Sequence, residues 1–421
     1  MQKFVVTGGA PLRGEVRIAG AKNAVLKLMA AAALTDEPCT LTNVPRISDV
    51  AIMRETMIDI GFDVRRVGVD ELSLQATDAR WPFVPLEAAM KMRASFILLG
   101  PMLARFGRVI IPNPGGDRIG RRPVNLHVAA MEALGATTEY KNGYYFASAP
   151  TGGLRGAQIT FPTVTVMGTE NALLAASLAH GSTVIENAAQ EPEVDDLIAM
   201  LCAMGARISR TAPTRLEVEG VERLHGVEHR VIGDRLEAET FAIAAAVTGG
   251  EVTMRGVDPT HMEAFLTVLE RMGVPFERLP DGLTVSAAAS YRPIDVETQP
   301  YPGFATDFQA PLAVLMTAAD GESHIHETIY EDRLDYTREL CRMGAVIEVL
   351  DERHARIVGP TPLHGAGVAI ADLRAGATLI LAALSASETS VISGVEHVDR
   401  GYEQIESKLV ALGARIHRID A

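Results

Sequence analysis

Apolar and polar positions along the chain repeat in one order six times. A helix-like run of small residues comes first, then a β-branched run, then an amphipathic run that stops at a glycine, then further strand-like segments. The closing glycines stand in "IDIGFDV" (Gly61), "EALGATT" (Gly135), "CAMGARI" (Gly205), "ERMGVPF" (Gly273), "CRMGAVI" (Gly344) and "VALGARI" (Gly413), at spacings of 74, 70, 68, 71 and 69 residues. A glycine at that place suits the left-handed residue that ends a helix. The small-residue runs, such as "KNAVLKLMAAAAL" and "ENALLAASLAH", suit helices that pack closely, and "CTLTNV", "RVIIPN", "STVIENA", "EVTMRGV", "SHIHETI" and "TSVISGV" read as strands.

Each copy therefore carries enough elements for a small piece of sheet covered by helices, and its period is longer than that of a solenoid repeat. The expected fold class is α/β, with two similar domains of three copies each and a cleft between them. Because each copy begins with a strand, residues 1–20 are expected to complete the sheet of the last copy. This divides the chain into 21–230 as the first domain and 1–20 plus 231–421 as the second, with the midpoint near "VEHRVIG". Two crossings between domains permit closure around a ligand.

The 421 residues are 48% hydrophobic, a globular composition. Apolar stretches such as "FILLGPMLA" fall well short of the roughly 20 residues that cross a bilayer, and the N-terminus has no secretory pattern, so a cytoplasmic protein without a membrane span is expected. A formal net charge of −14 excludes a general nucleic-acid binder, so any anionic ligand must find a local cationic pocket. Cys39, Cys202 and Cys341 are far apart, without metal or redox spacing, and read as core thiols.

The repeat explains its apolar positions, so chemistry is sought where single copies carry charge. "GAKNA" sets Lys22 and Asn23 at a helix start, which suits either an anion site or a capping Asn beside a solvated Lys. "KMRASF" puts Arg93 at the equivalent place, and "PNPGGDRIGRRPVNLH" sets Asp117 among Arg118, Arg121 and Arg122 on a Gly/Pro loop. "PGFATDFQ" carries Asp307, "ADLRAG" carries Asp372 and Arg374, and "HVDRGYEQ" carries Asp399 and Arg400. His324 and His326 alternate along one strand without a third ligand, so no metal is expected.

Together, "GAKNA", "RAS", "PGGDRIGRRPVNLH", "ENAAQEPEV", "PGFATDFQ", "DLRAGA" and "HVDRGYEQIE" resemble the family of UDP-N-acetylglucosamine 1-carboxyvinyltransferases, in the same order and over the full chain. The resemblance implies two similar inside-out α/β domains, each of three repeated units, and transfer of an enolpyruvyl group from phosphoenolpyruvate to a UDP-sugar in peptidoglycan synthesis, without metal or organic cofactor. By the same resemblance, Lys22, Asn23, Arg122 and Arg400 hold phosphoenolpyruvate, with Asp372 and Arg374 nearby, and Asp307 is the base beside the attacking hydroxyl. Arg93, Arg122, Pro123, Val124, Asn125, Leu126 and Ile329 match positions that contact the UDP-sugar.

The loop position that delivers a proton in this family is most often Cys, and here it is Asp117. An Asp must be protonated to donate, so a closed site has to raise it above its ordinary value of about 3.9. Nearby guanidinium groups oppose that rise; desolvation and bound anions favour it. Asn125 and Thr163 stand where the family usually has Asp and Lys, which leaves open a paralogue with another acceptor, or an inactive UDP-sugar-binding homologue.

Overall fold

The computed structural model describes residues 2–77, 82–116 and 119–420, and the described chain forms two compact units. One holds 2–19, 119–121 and 233–420; the other holds 20–77, 82–116 and 122–232. The chain passes between them at 19/20 and 232/233, and the short segment 119–121 groups with the unit that carries the two chain ends.

The unit with the chain ends has three four-stranded sheets. Their strand orders are Phe276–Leu279, Gly282–Ser286, Glu251–Arg255, Arg13–Arg17; then Asp295–Glu297, Gly321–His326, His354–Gly359, Val346–Val349; then Gly367–Ala369, Thr389–Ser393, Gln2–Thr7, Arg415–Asp420. Each sheet has one parallel edge strand and an antiparallel remainder. Three helices, Arg235–Val247, Thr306–Met316 and Leu373–Ser385, pack on one another inside these sheets, buried along nearly their whole length. Alanine and glycine on these helices let the axes approach closely, and strand residues such as Phe4 and Val6 close the core from outside.

The other unit repeats the plan. Its sheets run Glu228–Arg230, Cys39–Thr42, Leu72–Ala76, Phe62–Arg66 and Arg207–Ala212, Arg215–Glu219, Ser182–Glu186, Gln158–Thr160. The third has three strands, Arg108–Pro112, Tyr144–Ser148 and Thr137–Lys141, with its parallel edge reduced to a bridge between Phe83 and Ile110. The inner helices are Lys22–Ala31, the run from Arg93 to Phe106, and Val166–Ala176. Gly100 marks how near two of them come: a Cβ there would stand 2.5 Å from the carbonyl oxygen of Asn171.

All six marker glycines have positive φ, from 83° at Gly273 to 107° at Gly61. The strand Gln2–Thr7 lies between Thr389–Ser393 and Arg415–Asp420, so the N-terminus completes the last copy. The rest of 1–20 does not. Strand Arg13–Arg17 pairs in parallel with Glu251–Arg255, and Glu228–Arg230 pairs in parallel with Cys39–Thr42. The strands that precede the first and fourth inner helices are thus exchanged between the units, because each crossing falls just after such a strand rather than before it. The thiols correct a second expectation: Cys39 is buried, but Cys202 and Cys341 are exposed. Both sit on the outer side of an amphipathic helix, each with Sγ facing the carbonyl six residues on, Ile208 and Ile347.

Candidate active site

In the unit of 20–116 and 122–232, the helix Lys22–Ala31 starts after Ala21, which has no side chain able to cap it. Asn23 is the second helical residue and not a cap, and Lys22 is buried, not solvated. Lys22 Nζ lies 2.9 Å from Oδ2 of Asp49, a buried residue in the first turn of helix Ser48–Ile60. Below it, buried Lys27 donates from Nζ to the backbone carbonyl of Asn23 and stands 3.7 Å from Glu170 Oε2. Burial pushes the Glu170 carboxyl up to about 7; Lys27 restrains the rise, and Glu193 and Glu191 add to it. Two buried lysines therefore stand on this helix, Lys22 at its start and Lys27 further along, each facing a carboxyl group from another helix, and the dipole of the helix start adds to the positive field around Lys22.

Arg93 opens the turn Arg93–Leu98, and its Nη2 donates to the carbonyls of Arg122 and Pro123, the latter 3.4 Å away. Gly116 makes room for this contact: its φ is +113°, and a Cβ there would stand 3.0 Å from both Arg122 Nη2 and Arg93 Cβ. Val124 precedes the helix Asn125–Ala133, on which Asn125 is exposed and Leu126 half-buried. His127, on the same helix, is buried; Asn171 Nδ2 donates to its Nδ1 at 2.9 Å. Burial, with the Arg93 charge added, pushes this imidazole down to about 3, so it stays neutral and accepts that bond. Asp117 and Arg118 lie outside the described residues.

In the unit with the chain ends, Asp372 caps helix Leu373–Ser385, accepting from the amides of Arg374 at 2.9 Å and Ala375 at 3.2 Å. Asp307 lies in the first turn of helix Thr306–Met316 and is held by two guanidinium groups: Arg333 donates to Oδ1 at 2.6 Å and Arg374 to Oδ2 at 3.3 Å. Arg333 also reaches Asp372, 3.5 Å away, and Arg374 donates to the Tyr402 hydroxyl at 3.0 Å. Burial works against the Arg374 charge, but Asp307, Tyr402 and Asp234 outweigh it and hold the guanidinium above its ordinary pKa. Glu239 is fully buried, with no hydrogen bond to either oxygen among the described residues; burial raises it well above the usual carboxylate range, against the pull of Arg235 and Arg374. Arg400 ends the short turn Val395–Arg400 and is half-buried, and the Ile329 amide donates to Glu327 Oε1 at 2.7 Å.

The expected residues thus fall into two sets by unit. Lys22, Asn23, Arg93 and 122–126 belong to one; Asp307, Ile329, Asp372, Arg374 and Arg400 belong to the other, where Asp307 and Arg374 touch and Arg333 links Asp307 to Asp372. Sequence reasoning passes over Asp49, Arg333, Tyr402 and Glu239. Arg333, in "EDRLDY", sits at no helix start, and its role shows only once the helices carrying Asp307 and Asp372 are side by side. His324 and His326 turn Nδ1 to Asp295 at 2.8 Å and Glu297 at 3.0 Å, and among the described residues no group of three side chains could hold a metal ion. No helix among the described residues is long and apolar enough to cross a membrane.

Residues 6–409 match the model of the EPSP synthase family, 3-phosphoshikimate 1-carboxyvinyltransferase. Among solved structures, the enolpyruvyl transferase NikO from Streptomyces tendae is similar over all of this chain and 99% of its own, at 26% identity and a TM-score of 0.88. EPSP synthase from Acinetobacter baumannii covers both chains fully at 18% identity and a TM-score of 0.78, a likeness of fold. The six-copy architecture is that of the enolpyruvyl transferases. Among curated relatives, a UDP-N-acetylglucosamine 1-carboxyvinyltransferase of Cereibacter sphaeroides (strain ATCC 17025) is 46% identical over the full length of both chains, and one of Solibacter usitatus (strain Ellin6076) is 45% identical, also over both full lengths. The chain belongs to the family of UDP-N-acetylglucosamine 1-carboxyvinyltransferases.

Proposed function

We propose that this enzyme transfers the enolpyruvyl group of phosphoenolpyruvate to the 3-hydroxyl of UDP-N-acetylglucosamine and releases phosphate, the first committed step of peptidoglycan synthesis, in the cytoplasm. The observation that carries this is full-length identity of 45–46% with curated enzymes of that name. The motifs for both substrates support it.

Lys22, Asn23, Arg122 and Arg400 hold phosphoenolpyruvate, and Arg374 lies near it behind Asp307. A ligand with both phosphate and carboxylate suits guanidinium forks and a helix start. Arg93, the stretch 122–126 and Ile329 contact the nucleotide sugar.

Addition of the 3-hydroxyl to C2 of phosphoenolpyruvate needs a base for the hydroxyl proton and an acid for the methylene carbon. Asp307 is the base: Arg333 and Arg374 fix the orientation of its carboxylate in the first turn of the helix Thr306–Met316. Asp117 is the acid. Expulsion of phosphate from C2 then returns one C3 proton to Asp117 and leaves the enol ether, while the hydroxyl proton departs with the phosphate. The cations stabilise the charge that gathers on the leaving group, without a metal.

The product identifies the reaction. Incubation with both substrates should yield a UDP-sugar whose mass has grown by one enolpyruvyl group and whose NMR spectrum carries the vinyl protons on O3. An unchanged UDP-N-acetylglucosamine would remove this acceptor.

A further inference from the structure

Glu327 is fully buried, yet neither of its oxygens lacks a donor. Oε1 accepts from the Thr298 hydroxyl at 3.0 Å and from the amides of Ile329 at 2.7 Å and Tyr330 at 3.1 Å. Oε2 accepts from the Thr306 hydroxyl at 2.8 Å and from Gln309 Nε2 at 3.3 Å. All five donors are uncharged. A carboxylate buried among neutral donors is costly; a Gln or Thr in its place would spare that cost but could not accept on both sides.

The two sides differ in what they hold. Oε1 fixes the turn after strand Gly321–His326, and with it Ile329. Oε2 fixes the first turn of the helix Thr306–Met316 through Thr306, the residue before Asp307, and through Gln309. Gln309 in turn donates to the Arg333 carbonyl at 3.4 Å and accepts from the Tyr336 hydroxyl at 2.7 Å, so the segment that carries Arg333 to Asp307 is tied to the same carboxylate.

We infer that Glu327 is a positioning residue for the acceptor sugar: one planar carboxylate sets the base Asp307 against the sugar contact Ile329. The inference rests on the acceptor reading above and goes beyond it, since Glu327 itself touches neither substrate in that reading.

The chemistry of the donors separates the two sides. In Glu327→Gln the amide oxygen must stay toward Ile329 and Tyr330, because backbone N–H groups cannot accept. Its NH2 then faces Thr306, whose hydroxyl can turn to accept, and Gln309 Nε2, which cannot unless it abandons Arg333 and Tyr336. Glu327→Ala frees both sides.

Steady-state kinetics with both substrates, together with amide hydrogen exchange at residues 329 and 330, test this. Glu327→Gln is expected to lower kcat about 10-fold with KM for UDP-N-acetylglucosamine within about 3-fold of wild type, as misplacement of a reacting group costs rate more than binding. Glu327→Ala is expected to lower kcat at least as much and also raise that KM about 10-fold, with faster exchange at the Ile329 and Tyr330 amides. KM for phosphoenolpyruvate stays within about 2-fold in both, which a general loss of structure would not allow. Equal rises in both KM values, or wild-type kcat in Glu327→Gln, overturn the inference. If the wild type turns over no UDP-N-acetylglucosamine, the acceptor reading has failed and exchange decides alone on the turn: unchanged protection at 329 and 330 in Glu327→Ala, or lost protection there in Glu327→Gln, rejects the role of Glu327. Should Glu327→Ala not fold, the Glu327→Gln pattern of impaired kcat, near-normal KM and retained protection carries the test.

Discussion

Lys22 Nζ lies 2.9 Å from Asp49 Oδ2, and the pair is buried where two helices from different parts of the sequence begin. Removing one partner of a buried pair leaves the other to bear its desolvation. Lys22→Met should therefore abolish turnover and also lower the free energy of unfolding by about 2 kcal/mol. Chemical denaturation beside a phosphate-release assay checks both. A Lys22→Met protein of wild-type stability would show that Asp49 does not depend on Lys22.

Glu170 gives a pH signature. Its carboxyl is raised from 4.5 to about 7, first by burial, so between those values the folded state holds a proton that the unfolded state has lost. Stability from this group is present at low pH and is lost as pH rises toward 7, by an amount on the order of 3 kcal/mol. Glu170→Gln cannot titrate, so its stability relative to wild type should climb between pH 5 and pH 8. A constant difference across that range would mean that Glu170 is ionised throughout.

His127 has the opposite sign. Its imidazole is lowered from 6.5 to about 3 by burial and by Arg93, so in that window the unfolded chain binds a proton that the folded one refuses. The folded state loses stability as pH falls from about 6.5 toward 3, on the order of 5 kcal/mol in all. His127→Gln should show a shallower acid loss than wild type in urea unfolding at pH 6.5 and pH 4.5; equal losses in the two proteins would place the imidazole pKa near its ordinary value.

Asp117 is expected to act as an acid. Asp117→Ala and Asp117→Asn should retain substrate binding, measured by calorimetry, but show no turnover. Because a carboxylate is a far poorer nucleophile than a thiolate, fosfomycin-like epoxides should leave the wild type active and inactivate Asp117→Cys. Rapid covalent labelling of the wild type at Asp117 would contradict this.

The repeat is legible because its signals are local. A glycine after an amphipathic run can be read within ten residues, and all six take the left-handed conformation. Parallel pairing is not local: nothing in "RGEVR" says that it joins Glu251–Arg255 and not the last sheet, a choice made by where the chain crosses between units. The helix-start charges Lys22, Asp307 and Asp372 stand out against the apolar repeat. Arg333 and Asp49 do not, since each acquires its partners from elements distant in sequence, and Glu239 does not, since its burial shows only once the helices are packed. The surface thiols mislead because Cys202 and Cys341 sit beside apolar neighbours on helices whose outer face they occupy.

The measurement that bears most directly on the enolpyruvyl-transfer assignment is phosphate release from phosphoenolpyruvate, with and without UDP-N-acetylglucosamine, alongside other nucleotide sugars and shikimate 3-phosphate. Release that requires UDP-N-acetylglucosamine and is lost in Asp117→Asn is the predicted result. Release with a different acceptor only, or none with any, would contradict it.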